Sequence, residues 1–142
     1  AGRDCHVVIE TNRGHDLGRL IFDGPAAKNT GVPANISGFT KERVLRAPSD
    51  GIFEPSKAIG DRVARGEQVG NVGQTSIYSQ IDGIIRGILR AETPVIKGMK
   101  TGDIDPRGEV QYCPKISDKA RALGGSVIEA ILSRLPQISQ MK

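Results

Sequence analysis

The sequence predicts a mainly β fold with an N-terminal hairpin and one C-terminal helix. Three observations carry that expectation. Eighteen glycines and eight prolines in 142 residues are more breakers than a helical protein needs, and they mark many tight turns. Asp50-Gly51-Ile52 recurs 32 residues later as Asp82-Gly83-Ile84, so part of the chain is an internal repeat. Only "ISDKARALGGSVIEAILSRLP", near the C-terminus, spaces its apolar residues at a helical period.

The first element is a hairpin. Val7 to Glu10 and Leu17 to Phe22 read as strands separated by the polar turn Asn12-Arg13-Gly14-His15-Asp16. From Gly24 to Phe39 there is no period and there are several breakers, which predicts an ordered surface loop. "KERVLRAP" then opens a β segment.

The repeat comes next. Its offset also takes Val63 to Val95, Arg65 to Lys97, Gly66 to Gly98 and Gly70 to Gly102. A solenoid needs about three units before its stacked core is stable, so two copies should close against each other about a pseudo-twofold axis as a small barrel or sandwich. Gly51 and Gly60 suit turns that demand positive φ, and Asp61 can bond its own turn. Val63 and Val69 should point inward on either side of a turn at Gly66. Thr93-Pro94 places the second copy's strand at a rim, because proline cannot donate to a ladder.

In the C-terminal helix Ser117 is the expected N-cap, and Asp118 sits in the first turn, where the helix dipole favours an anion. Ala120, Leu123, Val127, Ile128, Ile131 and Leu135 should form the stripe that covers a β face, with Pro136 as the stop. Gly124-Gly125 costs roughly 1 kcal/mol per residue against alanine inside a helix. Either the backbone approaches a sheet closely there, or the helix breaks and restarts at Ser126.

Composition narrows the function. The formal charge is +4 and the pI about 9.3, but the cations are scattered singly and aromatics are 4% with no Trp. Such a surface offers neither the basic stripe of a duplex binder nor the stacking platforms of a single-strand binder, so no nucleic-acid partner is expected. No long apolar run suggests a membrane. Cys5 and Cys113 lie far apart without short metal spacing, which fits a reducing cytoplasm. The chain reads as a single domain over 1–142, with a core at 44–106 and the helix at 116–135. It starts at Ala1 without Met and reads as a fragment of a longer protein.

The segment Val44 to Pro106, with "RAPSDG", "IGDRVARGEQVGNVG" and "IDGIIRGILRAETPVIKGMKTGDID", resembles the biotinyl/lipoyl-like barrel-sandwich hybrid. In carrier members of that family, the modified lysine sits on the central hairpin, here Gly73-Gln74-Thr75-Ser76. No lysine lies between Gln68 and Gly83, so no covalently bound cofactor is expected. Lys57 and Lys97 fall in other turns and read as solvated surface charges.

Over most of its length, the chain resembles the C-terminal region of prokaryotic accessory proteins of selenium-dependent molybdenum hydroxylases. The carrying residues are "VIETNRGHDLGRLI", "TGVP", "RVLRAPSDGIFEP", "IGDRV", "GDIDPRG" and "ISDKARALGGSVIEAIL". The resemblance implies a role in maturation or assembly, an upstream nucleotide-fold-like domain in the full-length chain and a molybdenum hydroxylase client as partners, and the molybdenum cofactor or another phosphate-bearing ligand as a candidate to bind.

Two clusters are candidate ligand-binding sites. Asn12, Arg13, His15, Asp16 and Arg19 gather cations, an imidazole and a carboxylate around a flexible glycine, a set able to grip an anion through forked hydrogen bonds. Their structural alternative is a solvated polar turn fixed by Asp16. Asp103, Asp105 and Arg107 place two carboxylates on one face of an extended backbone, where they could bind a hard cation or share a proton. The alternative there is turn chemistry with an internal ion pair. Cys5, His6, His15 and Cys113 supply the thiols and imidazoles of a metal set, with a lone buried cysteine as the structural alternative, and Gly124-Gly125-Ser126 could present backbone N–H groups to a phosphate, with close packing of helix on sheet as its alternative.

The expected function is a non-catalytic binding or assembly module that presents the Asn12–Arg19 loop to a cofactor or partner enzyme. The rival is a small enzyme or metal-binding domain using His15 with nearby carboxylates. A purely structural spacer is the third reading.

Overall fold

The 32-residue offset reappears in the strand pairing of a computed structural model, which describes residues 1–138. Contacts divide the chain into two compact units, Ala1–Gly31 with Ile116–Lys142, and Val32–Lys115.

The second unit holds eight strands among the described residues: β3 (Val44–Arg46), β4 (Gly51–Pro55), β5 (Arg62–Val63), β6 (Gln68–Val72), β7 (Thr75–Tyr78), β8 (Gly83–Ile88), β9 (Thr93–Val95) and β10 (Lys100–Asp105). They form two antiparallel four-stranded sheets, ordered β3-β10-β8-β5 and β7-β6-β4-β9. The offset maps β3 onto β7, β10 onto β6, β8 onto β4 and β5 onto β9, so each sheet is the other's copy. Register agrees at the level of single residues: Ile52 pairs with Pro94 and Gly51 with Val95, while Ile84 pairs with Arg62 and Gly83 with Val63. Pro94 lies on an edge strand, where its missing N–H costs no ladder bond.

The two inner faces share one apolar core, with Leu45, Phe53, Val63, Val69, Val72, Ile77, Ile85, Val95 and Ile104 all buried. Val63 and Val69 point inward as expected. Extra residues bend the ladders at repeat-equivalent places: Val69 bulges from β6 against β7, and Thr101 from β10 against β3. A further bulge makes Arg86 the extra residue of β8 against β10.

The copies differ on their outer faces. Ile84 is 0% exposed and its equivalent Ile52 is 46% exposed. The difference comes from the segment after β10, whose 3-10 turn Val110–Tyr112 packs on β8. Cys113 Sγ donates to the Ile85 carbonyl at 3.7 Å, and Arg62 Nη2 donates to the Gly108 carbonyl at 3.1 Å.

The first unit is a hairpin and a helix. Strands β1 (Val8–Ile9) and β2 (Leu20–Ile21) pair antiparallel, Val8 with Ile21 and Ile9 with Leu20, so the expected hairpin is present but shorter than Val7–Glu10 with Leu17–Phe22: Leu17–Arg19 belong to the connecting loop, which Glu10 holds. Helix α1 (Asp118–Ile138) packs against β1. Ser117 caps it, its Oγ accepting from the Ala120 N–H at 3.1 Å.

Three expectations for this helix are corrected. It packs through Leu123, Ser126 and Ala130, leaving Ala120, Val127, Ile128 and Ile131 exposed. The apolar stripe is therefore rotated away from the hairpin, and the face turned inward sets Ser126 against Gly18, where a Cβ would stand 2.6 Å from Ser126 Oγ. Gly124 and Gly125 neither break the helix nor approach another backbone; a Cβ at either would meet open space. Pro136 does not end the helix, which runs to Ile138. The Leu135 side chain lies outside the described residues. Between β2 and β3 the loop has one isolated bridge, Ile36 with Phe39, and the 3-10 turn Lys41–Arg43.

Candidate functional site

The Asn12–Arg19 cluster lies in the first unit, and Glu10 organises it. The Glu10 carboxylate accepts the backbone N–H groups of Asn12 and Ala27, each at 2.7 Å. Its own N–H donates to the Arg19 carbonyl at 3.0 Å, and its carbonyl accepts from the Gly18 N–H at 2.8 Å. The Ala27 and Asn12 N–H groups hold the Glu10 carboxyl below its ordinary pKa. The loop is thereby stapled from both sides by a residue that the sequence marked only as the end of a strand.

The loop's cations are already engaged. Arg13 donates from both terminal nitrogens to the Asp118 carboxylate, at 2.7 and 2.8 Å, which ties the loop to the first turn of α1. Arg19 lies 3.5 Å from Asp16. His15 is exposed and makes no hydrogen bond or ion pair among the described residues.

The Asp103–Arg107 cluster lies in the second unit. Ile104 points into the core, so Asp103 and Asp105 share the outer face of their sheet, as expected. Each has its own cations. Arg107 donates to Asp105 through Nε at 2.9 Å, Nη2 at 2.6 Å and its backbone N–H at 3.1 Å, and the bulged Arg86 adds Nη1 at 3.1 Å. Burial opposes ionisation of Asp105, but the Arg107 and Arg86 bonds outweigh it and lower its pKa to about 2. Arg107 also stacks on the Tyr112 ring, 4.6 Å from its centroid. Asp103 pairs with Lys100 and, at 3.6 Å, with Arg43. The two carboxylates are thus separately neutralised, and the arrangement stitches the outer face of β8 and β10.

Of the metal candidates, Cys5, His6 and His15 belong to the first unit and Cys113 to the second. Among the described residues no three His, Cys, Asp or Glu side chains are grouped to hold a metal ion. Lys57, expected to be solvated, is half-buried in an ion pair with Glu67, which raises its pKa. No described helix is long and apolar enough to cross a membrane.

A groove in the second unit falls on residues outside both sequence-derived clusters. A groove of about 460 Å³ is lined by Lys41, Val44, Leu45 and Arg46 on one side and by Ser76, Ile77 and Tyr78 on the other. Those walls are β3 and β7, related by the repeat, so the groove sits on the pseudo-twofold axis. Val44, Leu45 and Ile77 are buried, while Tyr78 is 55% exposed. A second hollow of about 390 Å³ shares Ser79 and Gln80 with it and reaches Phe39, Glu42 and Arg65. The signal available in the sequence was the equivalence of "VLR" and "SIY" at the repeat offset.

The β6–β7 turn is Gly73-Gln74, with Gly73 at φ +56° as a two-residue hairpin requires. It carries no amine.

No family model matches the chain. The uncharacterized protein YqeB of Escherichia coli strain K12 is 49% identical over 137 residues, which is 96% of this chain and 25% of that protein. The chain therefore spans about a quarter of the length of the curated relative it matches. Two solved structures share partial likeness. A succinylglutamate desuccinylase/aspartoacylase from Rhodobacter sphaeroides gives a TM-score of 0.37 at 25% identity, over 44% of this chain and 21% of the other. An aspartoacylase family protein from Mesorhizobium loti gives 0.42 at 22% identity, over 59% and 27%.

Proposed function

We propose that the chain is a binding and assembly module, built on a biotinyl/lipoyl-like barrel-sandwich hybrid without the modified lysine, that serves in molybdenum hydroxylase maturation. The interlocked, repeat-related sheets support the architecture. The observation that carries the binding role is the groove on the pseudo-twofold axis, which has an apolar floor and a polar, cationic mouth. Neither sequence-derived cluster has the look of a catalytic constellation, since Arg13, Arg19, Asp103 and Asp105 are engaged in internal ion pairs. We assign any chemistry to other parts of the full-length protein, and the Asn12–Arg19 loop, stapled by Glu10, is a second contact surface toward a phosphate-bearing ligand or partner.

The test is co-purification of the full-length protein with a client hydroxylase, read by mass spectrometry, alongside elemental analysis. The client should be recovered and should lose activity when this region is deleted. Stoichiometric metal that disappears in His15→Ala would replace the module with the metal-enzyme reading.

A further inference from the structure

We infer that the groove between β3 and β7 binds an extended acidic peptide segment of a partner protein by strand addition. This rests on the module reading above and names its ligand class.

Both walls are sheet edges. β3 pairs only with β10 and β7 only with β6, so each keeps one open side. The ladder contacts show which residues face that side. Ser79 and Ala47 bond inward: the Ser79 N–H donates to Glu67 and the Ala47 N–H to Met99, each at 2.9 Å. One residue earlier in each strand, Tyr78 and Arg46 therefore aim their N–H and C=O away from the ladder and toward the groove. Counting from the two-residue turn gives Ser76 the same outward aim, because the pair that closes such a hairpin, Val72 with Thr75, is the hydrogen-bonded one. A strand laid along β7 meets donors and acceptors at Ser76 and Tyr78, with Ile77 and Leu45 beneath it. A short segment is enough, as in other strand-addition complexes.

Charge selects the occupant. Lys41 and Arg46 line the groove, and Arg65 lines the hollow that continues past Ser79 and Gln80. Arg46 spends one donor on the Gly98 carbonyl at 2.8 Å, which fixes the guanidinium without neutralising it. The one carboxylate along this path, Glu42, is turned back onto the Thr40 N–H at 2.9 Å. An extended chain with acidic side chains at alternate positions would face these cations, whereas a basic one would be repelled. The exposed Tyr78 ring supplies an aromatic anchor at the mouth.

The experiment is selection of random linear peptides, of roughly ten residues, the upper length of an ordinary strand, on the whole protein. Peptides rich in Asp and Glu at alternating positions should be enriched. Their affinity should fall at least about tenfold in the Lys41→Glu/Arg46→Glu variant, weaken with added salt, and be lost when alternate peptide nitrogens are methylated. Arg65→Glu, remote from the β3 edge, is the second variant, with melting curves of both confirming folding. No enrichment, enrichment of neutral or basic peptides, or binding indifferent to N-methylation overturns the assignment. If the client hydroxylase still co-purifies with the Lys41→Glu/Arg46→Glu variant, the module reading survives and the groove is not its contact.

Discussion

Arg13 grips both oxygens of Asp118, at 2.7 and 2.8 Å, across 105 residues of sequence. The pair fixes the polar loop to the N-terminal turn of α1, where the helix dipole already favours the carboxylate. Asp118 is largely exposed, so the coupling should be modest, about 0.5–1 kcal/mol. A double-mutant cycle on Arg13→Ala and Asp118→Ala, read by denaturant unfolding, should return that value and shrink in high salt. Arg13→Lys should recover less than half, because an ammonium cannot make the forked contact. Zero coupling in low salt would mean that the ion pair contributes nothing to holding the loop, which Glu10 also staples.

Asp105 predicts how the second unit responds to acid. Its carboxyl is 2% exposed and bonded by Arg107 and Arg86, which lower its pKa from 3.8 to about 2. A depressed folded pKa gives stability that is complete above the unfolded pKa and disappears as pH falls through the folded one. The window is therefore roughly pH 4 down to pH 2, and the contribution about 2 kcal/mol. Asp105→Asn should remove that acid-dependent component and lower stability at neutral pH by about 2–4 kcal/mol, since Arg86 and Arg107 lose their shared anion. Unfolding curves collected between pH 2 and pH 7 would show it, and parallel profiles for the two proteins would refute it.

Much of the second unit was legible because its determinants are local or periodic. The repeat offset predicted the pairing of copies and Pro94 an edge, while the central hairpin, expected at Gly73–Ser76 from the carrier resemblance, turns at Gly73-Gln74. The burial of Ile84 was not legible. Its copy Ile52 follows the same Asp-Gly and pairs at the equivalent register, and the burial of Ile84 depends on the distant segment Val110–Tyr112, which packs on β8. The helix failed for a related reason. Periodicity finds an apolar stripe at Val127, Ile128 and Ile131, but the residue α1 buries is Ser126, which lies against a distant glycine. The sequence-derived sites were found as clusters, yet their partners Glu10, Arg43, Arg86 and Asp118 lie elsewhere in the chain, so the ion pairing could not be read from spacing.

Gly18 is that glycine. It adopts φ +86°, and a Cβ there would stand 2.6 Å from Ser126 Oγ. Gly18→Ala should therefore destabilise the first unit through both strain and overlap, by about 2–3 kcal/mol. Adding Ser126→Ala removes the overlapping oxygen and should restore about half, leaving the cost of positive φ. Helix content followed by circular dichroism during thermal unfolding would report both steps. A double variant no better than the single one would place the whole cost in the backbone.

Gly124 and Gly125 offer the opposite outcome. Both are exposed, inside α1 and without neighbours for a Cβ. Gly124→Ala and Gly125→Ala should each stabilise the helix by about 0.8–1 kcal/mol, the ordinary propensity difference. Loss of stability in the same thermal assay would show that the space beside them is occupied in solution.

Thr101 tests the repeat at the level of one atom. It is 1% exposed, and its Oγ1 has no hydrogen-bond partner among the described residues. The residue 32 positions earlier, at the equivalent bulge, is Val69, also 1% exposed. Valine and threonine have the same shape, so Thr101→Val keeps the packing and removes a buried, unsatisfied hydroxyl. The desolvation released should raise stability by about 1–2 kcal/mol. Val69→Thr should cost a similar amount, because it creates at the other copy the fault that Thr101 carries. Denaturant midpoints at unchanged slope would measure both. If Thr101→Val were destabilising, the hydroxyl would have to be bonded in solution, and the two bulges would no longer be equivalent in chemistry.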